Sequence, residues 1–207
     1  MQEKTVEKRI VSKALDMFNE AGIEYVGMRE LASALGMRIG NLNYYFPTKD
    51  HLVERLAVEL AEENNATILV REDISIDQFF EMLHQVFQNH FRYRCLLLSF
   101  VHVMQRNPLI ANRYSKTQTT RNATWMTNIK ALIAGDWIRA TPQETDFLVS
   151  TLALIARFWI SEAAISFTKE SPEDQMRHYL KMTARTFWPY ATAKGRRQLS
   201  SILKPTA

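Results

Sequence analysis

The sequence predicts an all-α protein built from two parts. Apolar residues recur at helical spacing through most of the 207 residues, and no stretch sustains the apolar/polar alternation of a half-buried strand. The glycines are unevenly placed: positions 22, 27, 36 and 40 hold four of the six, and residues 41–134 hold none. We therefore expect short helices with tight turns in residues 1–47 and long helices in residues 48–207.

The first predicted helix is amphipathic. Val6, Ile10, Ala14 and Phe18 recur at helical spacing, and Gly22 follows as a natural left-handed stop.

Two short helices are expected next, separated by a turn at Gly36, which accepts a positive φ without strain. The predicted apolar faces are Met28, Leu31, Ala32 and Leu35 in the first helix, and Ile39, Leu42 and Phe46 in the second. The small side chain of Ala32 lets the two helices approach closely. This pattern describes a helix-turn-helix, whose second helix lies in the DNA major groove.

Capping residues mark three later helix starts. They are Ser75 with Gln78, Thr141-Pro142 with Glu144, and Ser171-Pro172 with Glu173 and Asp174. We expect helices over residues 76–91, 114–134, 143–167 and 172–193, with an apolar segment over 95–104 that is broken before Pro108.

Composition excludes several classes of protein. The chain is 46% apolar and 23% charged, as in ordinary soluble proteins, and no apolar run reaches the roughly 20 residues of a membrane span. The polar opening MQEKTVEKR lacks the apolar core of a secretory signal. We expect a cytoplasmic protein with no membrane association.

No catalytic, metal or cofactor site is predicted. Cys95 is the single cysteine, which excludes an internal disulfide and is typical of a small buried apolar residue. His84, His90, His102 and Cys95 do not share a helical face at i, i+4 spacing. Neither a nucleophile with a base at recognisable spacing nor a glycine-rich phosphate loop is present.

Charge is distributed unevenly along the chain, whose formal net charge is +4. Residues 1–56 carry 8 Lys/Arg and 8 Asp/Glu, whereas residues 175–207 carry 7 Lys/Arg and no acidic residue. Nucleic-acid contact by the N-terminal part must therefore depend on a few well-placed groups.

The segment from Lys8 to Leu56 resembles the TetR family of bacterial transcriptional repressors. The resemblance is carried by KRIVSKALDMFNEAGIEYV, MRELASALGM and IGNLNYYFPTKDHLVERL. It implies a three-helix DNA-binding domain, with double-stranded DNA carrying a palindromic operator as the partner.

Within this motif, three side chains of the second helix have base-reading chemistry. Arg38 can reach a guanine edge or a phosphate, and the amides of Asn41 and Asn43 match adenine in the major groove.

Four further residues are expected at the DNA backbone. Tyr44 and Tyr45 can donate a hydroxyl to phosphate, and Thr48 is the expected N-cap of the next helix. The ammonium of Lys49 and the free amides of that helix could hold one phosphate together.

Three positions depart from the family pattern. Gly27 stands where a threonine commonly caps the helix and touches a phosphate, which reduces that contact to a backbone amide. Asn43 replaces a frequent aromatic residue, and Tyr45 a frequent histidine. The operator of this chain is therefore expected to be individual.

The resemblance further implies that residues 48–207 form a helical ligand-binding and dimerisation domain. The family pairs its last two long helices into a four-helix bundle, and residues 151–167 carry apolar side chains on more than one face, as a homodimer of this kind requires.

An apolar pocket is one interpretation of the aromatic residues and methionines in this part, and core packing is the other. The candidates are Phe79, Phe100, Met104, Trp125, Met126, Phe158 and Trp159. Arg157 lies inside an apolar run and could meet Glu162, lie at the rim of a dimer interface, or bind a ligand carboxylate.

The sequence thus predicts a homodimeric repressor released by a largely apolar small molecule. Its two second helices should lie about 34–36 Å apart, one turn of DNA. A helical adaptor that binds protein partners without DNA is the alternative, and a helical enzyme is the least favoured hypothesis.

Overall fold

The computed structural model describes residues 2–204, with side chains from Thr5 onward. Eleven α-helices and one short 3-10 helix are found in this range. The α-helices are α1 (Gln2–Ala21), α2 (Met28–Ala34), α3 (Ile39–Tyr45), α4 (Lys49–Thr67), α5 (Ile76–Arg92), α6 (Arg94–Leu98), α7 (Phe100–Arg106), α8 (Pro108–Ala134), α9 (Pro142–Ser166), α10 (Pro172–Phe187) and α11 (Ala193–Leu203). The 3-10 helix spans Trp188–Tyr190. The predicted all-α class is confirmed.

The chain divides into two compact units. The first comprises residues 1–62 and 92–115, and the second comprises residues 63–91 and 116–207. The sequence-predicted domain 1–47 lies wholly within the first unit. The predicted boundary at residue 47 remains a prediction, because a compact unit and a functional domain need not end at the same residue.

The first unit has its core around α1. Ile10, Ala14 and Phe18 of α1 are buried, as the helical spacing predicted. Asn19 fixes the later segment to α1, because its side-chain amide donates to the Arg92 carbonyl at 2.8 Å and accepts from the Cys95 amide at 3.0 Å. Residues 92–98 thus belong to the same core as the N-terminal helices.

The single cysteine is buried and unreactive. Cys95 is buried, as expected, and burial raises the pKa of its thiol to about 12. The thiol therefore stays protonated at neutral pH.

The second unit is built on buried aromatic rings. Phe79 contacts Trp125 and Phe187 with ring centroids 5.3 and 5.4 Å apart, and Phe87 stacks on Trp159 at 5.0 Å. Such contacts bury large apolar areas and stabilise the unit.

The loop after α8 and the start of α11 approach closely in this unit. A Cβ built at Gly195 would clash with the Trp137 carbonyl oxygen. Glycine is therefore the residue that lets the two backbones meet here.

The predicted helix starts at the three caps are confirmed. Thr141 accepts from the Glu144 amide at 3.3 Å while the Glu144 carboxylate accepts from the Thr141 amide at 2.7 Å. Ser75 and Gln78 make the same reciprocal pair, and Ser171 accepts from the Asp174 amide. Gly22 ends α1 with a φ of +93°, also as predicted.

Two predicted boundaries are wrong. The helix expected from residue 114 begins at Pro108, where the ring needs no amide and Asn107 accepts from the Ile110 amide at 3.1 Å. The helix expected to reach residue 193 ends at Phe187, because Pro189 cannot donate within it. A separate helix, α11, then starts after Thr192, which accepts from the Gly195 amide.

Candidate functional sites

The helix-turn-helix is formed by α2 and α3. Leu31 and Ala32 of α2 and Leu42 of α3 are buried, and Gly36 between the helices has a φ of +65°. The turn is closed by the Met37 amide, which donates to the Ala32 carbonyl at 3.0 Å. Buried apolar contacts on one side thus leave the other side of α3 exposed.

The exposed surface of α3 and its N-cap carries the polar groups that the sequence assigned to DNA. Arg38, Asn41 and Asn43 are exposed, whereas Leu42 and Phe46 are 0% and 6% exposed. When apolar residues hold a helix against the core, the amide and guanidinium groups on its exposed surface have the chemistry required to read base edges.

The two tyrosines at the end of α3 differ in exposure. Tyr44 is exposed and Tyr45 half-buried, and their rings meet edge to face at 5.2 Å. Each ring therefore restricts the orientation of the other.

Lys49 is held by the loop after α1. Its ammonium donates to the carbonyl oxygens of Ile23, Glu24 and Val26 at 2.7, 3.3 and 3.3 Å. An ammonium has three donors, so this arrangement employs all of them within the protein. These bonds tie Lys49 to the loop between α1 and α2, and its contact with DNA remains a prediction.

Two neighbouring groups also have partners within the protein. Thr48 lies immediately before α4, where the sequence placed the N-cap, and its hydroxyl contacts Nδ1 of His51 at 2.8 Å. The amide of Gly27 donates to the Glu30 carboxylate at 3.4 Å.

A helix-turn-helix with an anchored, polar second helix defines a DNA-binding transcriptional regulator. Two family models match the chain: "Bacterial regulatory proteins, tetR family" over residues 10–56, and "Bacterial transcriptional repressor" over residues 55–199. The chain belongs to the TetR family. Members bind DNA as dimers, respond to small molecules, are generally non-enzymatic, and are soluble and cytoplasmic.

Solved structures share the fold at low sequence identity. A TetR-family regulator from Marinobacter aquaeolei VT8 is 17% identical with a TM-score of 0.88, covering 95% of this chain and 96% of that one. Salmonella enterica GusR is 19% identical with a TM-score of 0.63, covering 88% and 95%. The ketosteroid regulator KstR2 of Mycobacterium tuberculosis is 13% identical with a TM-score of 0.61, covering 90% and 95%. No curated protein sequence matches the chain.

The candidate ligand residues fall into both compact units. Phe100 and Met104 are half-buried in the first unit, where the Phe100 ring meets Tyr114 edge to face at 5.0 Å. Trp125 and Trp159 are buried in the second unit. The ligand roles of these residues remain predictions.

The cation singled out by the sequence lies on α9. Arg157 is half-buried, with its guanidinium 5.9 Å from the centroid of the neighbouring Phe158 ring.

Sequence reasoning named only Trp159 of a polar cluster inside the second unit. His90 of α5, Trp159 of α9 and Tyr179 of α10 are all buried, and the Trp159 ring lies 5.7 Å from that of Tyr179. Burial, followed by the charge of Arg121 on α8, lowers the pKa of His90 to about 3. The available signal was a histidine and a tyrosine at core positions of otherwise apolar helix faces.

The long helix α9 is unusually apolar. It is long enough and apolar enough to cross a membrane by length and composition alone, and 33% of its most apolar window is buried within the chain. Such a helix is weak support for a membrane span, and its exposed apolar side requires another explanation.

Proposed function

We propose that the protein is a homodimeric repressor that reads a palindromic operator through α3 and is released by a small-molecule ligand. The observation that carries this proposal is that Arg38 at the N-cap of α3, and Asn41 and Asn43 on either side of Leu42, are exposed while Leu42 is buried. Arg38 and the two asparagines read bases, and Tyr44 and the N-terminus of α4 contact phosphates.

The remaining backbone contacts follow from their geometry. Tyr45 positions the Tyr44 ring and donates to phosphate where its half-buried hydroxyl reaches the surface, and Thr48 lies beside the first amides of α4. Lys49 contributes mainly by holding the Ile23–Val26 loop in place, and its positive charge adds to the attraction for phosphate.

The dimer interface that we propose is a stripe along α9. Phe147, Leu154, Phe158 and Ile165 are spaced by 7, 4 and 7 residues, which places them within about 40° of one another on the helix and over about 27 Å of its length. Phe147, Leu154 and Ile165 are 54%, 56% and 80% exposed in the single chain. A stripe of this length is covered by the same stripe of a second copy, with α10 beside it.

Release by a ligand requires two states of the dimer. A ligand that binds one of them more tightly shifts the dimer towards that state by no more than its differential affinity. A spacing of the two α3 helices that no longer matches one turn of DNA then lowers operator affinity.

The test of base reading is Asn41→Ala. An operator is first selected from a random DNA pool on the purified protein, and affinity is then measured by gel shift for operator and scrambled DNA. We expect Asn41→Ala to weaken operator binding by roughly 5- to 150-fold, corresponding to about 1–3 kcal/mol, and to leave scrambled DNA nearly unaffected.

The matched control is Asn65→Ala, which removes an exposed asparagine amide from α4. It should leave both affinities unchanged. Equal losses on operator and scrambled DNA would rule out base reading by Asn41, and failure to select any DNA would favour a protein-binding adaptor.

A further inference from the structure

Three buried polar groups in one ring cluster of the second unit have an unmet hydrogen-bonding capacity. Nε2 of His84, 3.9 Å from the Glu173 carboxylate, is a further buried atom of this unit without a hydrogen bond among the described residues. Among the side chains described, from Thr5 to Lys204, Nδ1 of His90, Nε1 of Trp159 and the hydroxyl of Tyr179 are buried without a hydrogen-bond partner. Their residues are 7%, 2% and 3% exposed. Buried polar groups are nearly always hydrogen-bonded, so three such atoms in one region point to a bound molecule.

These groups converge from three helices on one set of rings. Phe87 stacks nearly parallel to both His90 and Trp159, at interplanar angles of 21° and 18°. Trp159 in turn contacts Tyr179. The region thus combines flat aromatic surfaces with polar atoms at their edges, as small-molecule sites do.

The polar atoms differ in what they can offer. The Trp159 indole nitrogen only donates, and the Tyr179 hydroxyl can donate or accept. The His90 ring makes a hydrogen bond to the Ala156 backbone, and because Nδ1 is the nitrogen without a partner, Nε2 makes that bond. Neutral His90 then presents Nδ1 as an acceptor.

A positive charge acts on this region. Nε and Nη2 of Arg121 are shielded from solvent, and the Arg121 charge disfavours a proton on His90. Burial disfavours a charge of either sign here, whereas the Arg121 charge favours an anion over a cation. A guanidinium also matches the two oxygens of a carboxylate.

We propose that His90, Trp159, Tyr179 and Arg121 form the effector site of this regulator, and that it takes an organic anion with a flat apolar body and one carboxylate. Tyr179 and Trp159 donate to the anion, Arg121 balances its charge, and the rings of Phe87 and Trp159 hold the flat body. Neutral His90 stacks on Phe87 beside the ligand, and its Nδ1 does not bind the carboxylate, which has no proton to donate. The inference rests on the proposed ligand-responsive function. It places the ligand's anionic end at Arg121, whereas the sequence had offered a ligand carboxylate as one of three possible partners of Arg157.

The probe is 2-naphthoate, compared with uncharged 2-naphthamide of the same skeleton. Binding of each to the full chain is measured by isothermal titration calorimetry without DNA. We expect naphthoate to bind roughly tenfold or more tightly than the amide, because a charge-assisted hydrogen bond is stronger than a neutral one.

Two variants locate the site. Arg121→Gln and Tyr179→Phe should each weaken naphthoate binding roughly tenfold. Tyr190→Phe, which removes the hydroxyl of a half-buried tyrosine in the 3-10 helix of the same unit, should leave naphthoate binding unchanged.

A stability readout separates a binding role from a structural one. Because the Tyr179 hydroxyl lacks a partner among the described side chains, Tyr179→Phe should keep or raise the midpoint of thermal unfolding. A lowered midpoint with unchanged naphthoate affinity would overturn the proposal.

Equal binding of naphthoate and naphthamide would also overturn the proposal. So would failure of the wild-type chain to bind naphthoate. Either result would indicate that the buried polar atoms bind only water. Operator binding is measured separately by gel shift. Loss of the proposed effector site would leave the DNA-binding function standing, whereas failure to bind any DNA would contradict that function itself.

Discussion

Replacing Leu154 with arginine should separate the dimer without unfolding the chain. Leu154 lies in the middle of the α9 stripe and is 56% exposed in the single chain, so its substitution leaves the core intact. Fully burying a leucine contributes roughly 1.5–3 kcal/mol, and about half of its surface remains to be buried in a dimer. Each copy therefore contributes about 1–1.5 kcal/mol.

An isologous interface counts this loss twice. The dimer dissociation constant of Leu154→Arg should thus rise by at least roughly 30-fold, which corresponds to about 2 kcal/mol, and a guanidinium facing its own copy adds to the effect. Sedimentation equilibrium over a concentration series measures this constant. Gel shifts should show lost affinity for the palindrome and retained weak affinity for a half-site.

The control is Leu109→Arg, which places the same charge at a leucine that is 66% exposed near the start of α8. It should leave the dimer intact. A dimer of Leu154→Arg with wild-type affinity would refute the assignment of the interface to α9, and equal effects of the two variants would show that any added surface charge is sufficient.

Three further changes test individual parts of the structure by urea unfolding. Burial lowers the pKa of His90 to about 3, below its unfolded value of 6.5, so its contribution to stability is present at neutral pH and is lost as the pH falls below 6.5. Wild-type protein should therefore lose about 2 kcal/mol more between pH 7 and 5 than His90→Gln does, and parallel losses would contradict a neutral buried His90. Gly195→Ala should cost roughly 1–3 kcal/mol because its Cβ meets the Trp137 carbonyl, whereas Gly40→Ala, where no described atom lies within 4 Å of the new Cβ, should be neutral or gain up to about 1 kcal/mol. Lys49→Met should cost roughly 1–2 kcal/mol by removing three hydrogen bonds, and an unchanged unfolding midpoint would argue against its role in the α1–α2 turn.

Local chemistry made much of the fold predictable. Gly22 and Gly36 adopt the positive φ values that their positions demanded, and Thr141 and Ser171 cap the helices that follow them. Such features depend on a few neighbouring residues, so the sequence alone contains the information. The burial of Leu42 and Phe46 was predictable for the same reason, whereas Ile39, which was expected on the same buried side, is 37% exposed.

Helix boundaries at prolines were harder to predict. Both wrong boundaries lie beside a proline, Pro108 at the start of α8 and Pro189 after α10. A proline is compatible with the first turn of a helix and incompatible with its interior, and the choice depends on tertiary packing.

The effector cluster could not be derived from local pattern. His90, Arg121, Trp159 and Tyr179 belong to four helices, and their proximity depends on how those helices pack. The partners of Lys49 were likewise unpredictable, because the three carbonyl groups precede it by more than 20 residues.

The two hydrogen bonds of Asn19 have a practical consequence for fragment design. Through them α1 is tied to Arg92 and Cys95, and the neighbouring residues Tyr93, Leu96 and Leu97 are buried. A fragment that stops at the end of the N-terminal family match would leave the Asn19 amide and its apolar surroundings open to water. A minimal soluble DNA-binding fragment of this protein must therefore combine two separate segments, with residues 92–115 joined to the end of residues 1–62.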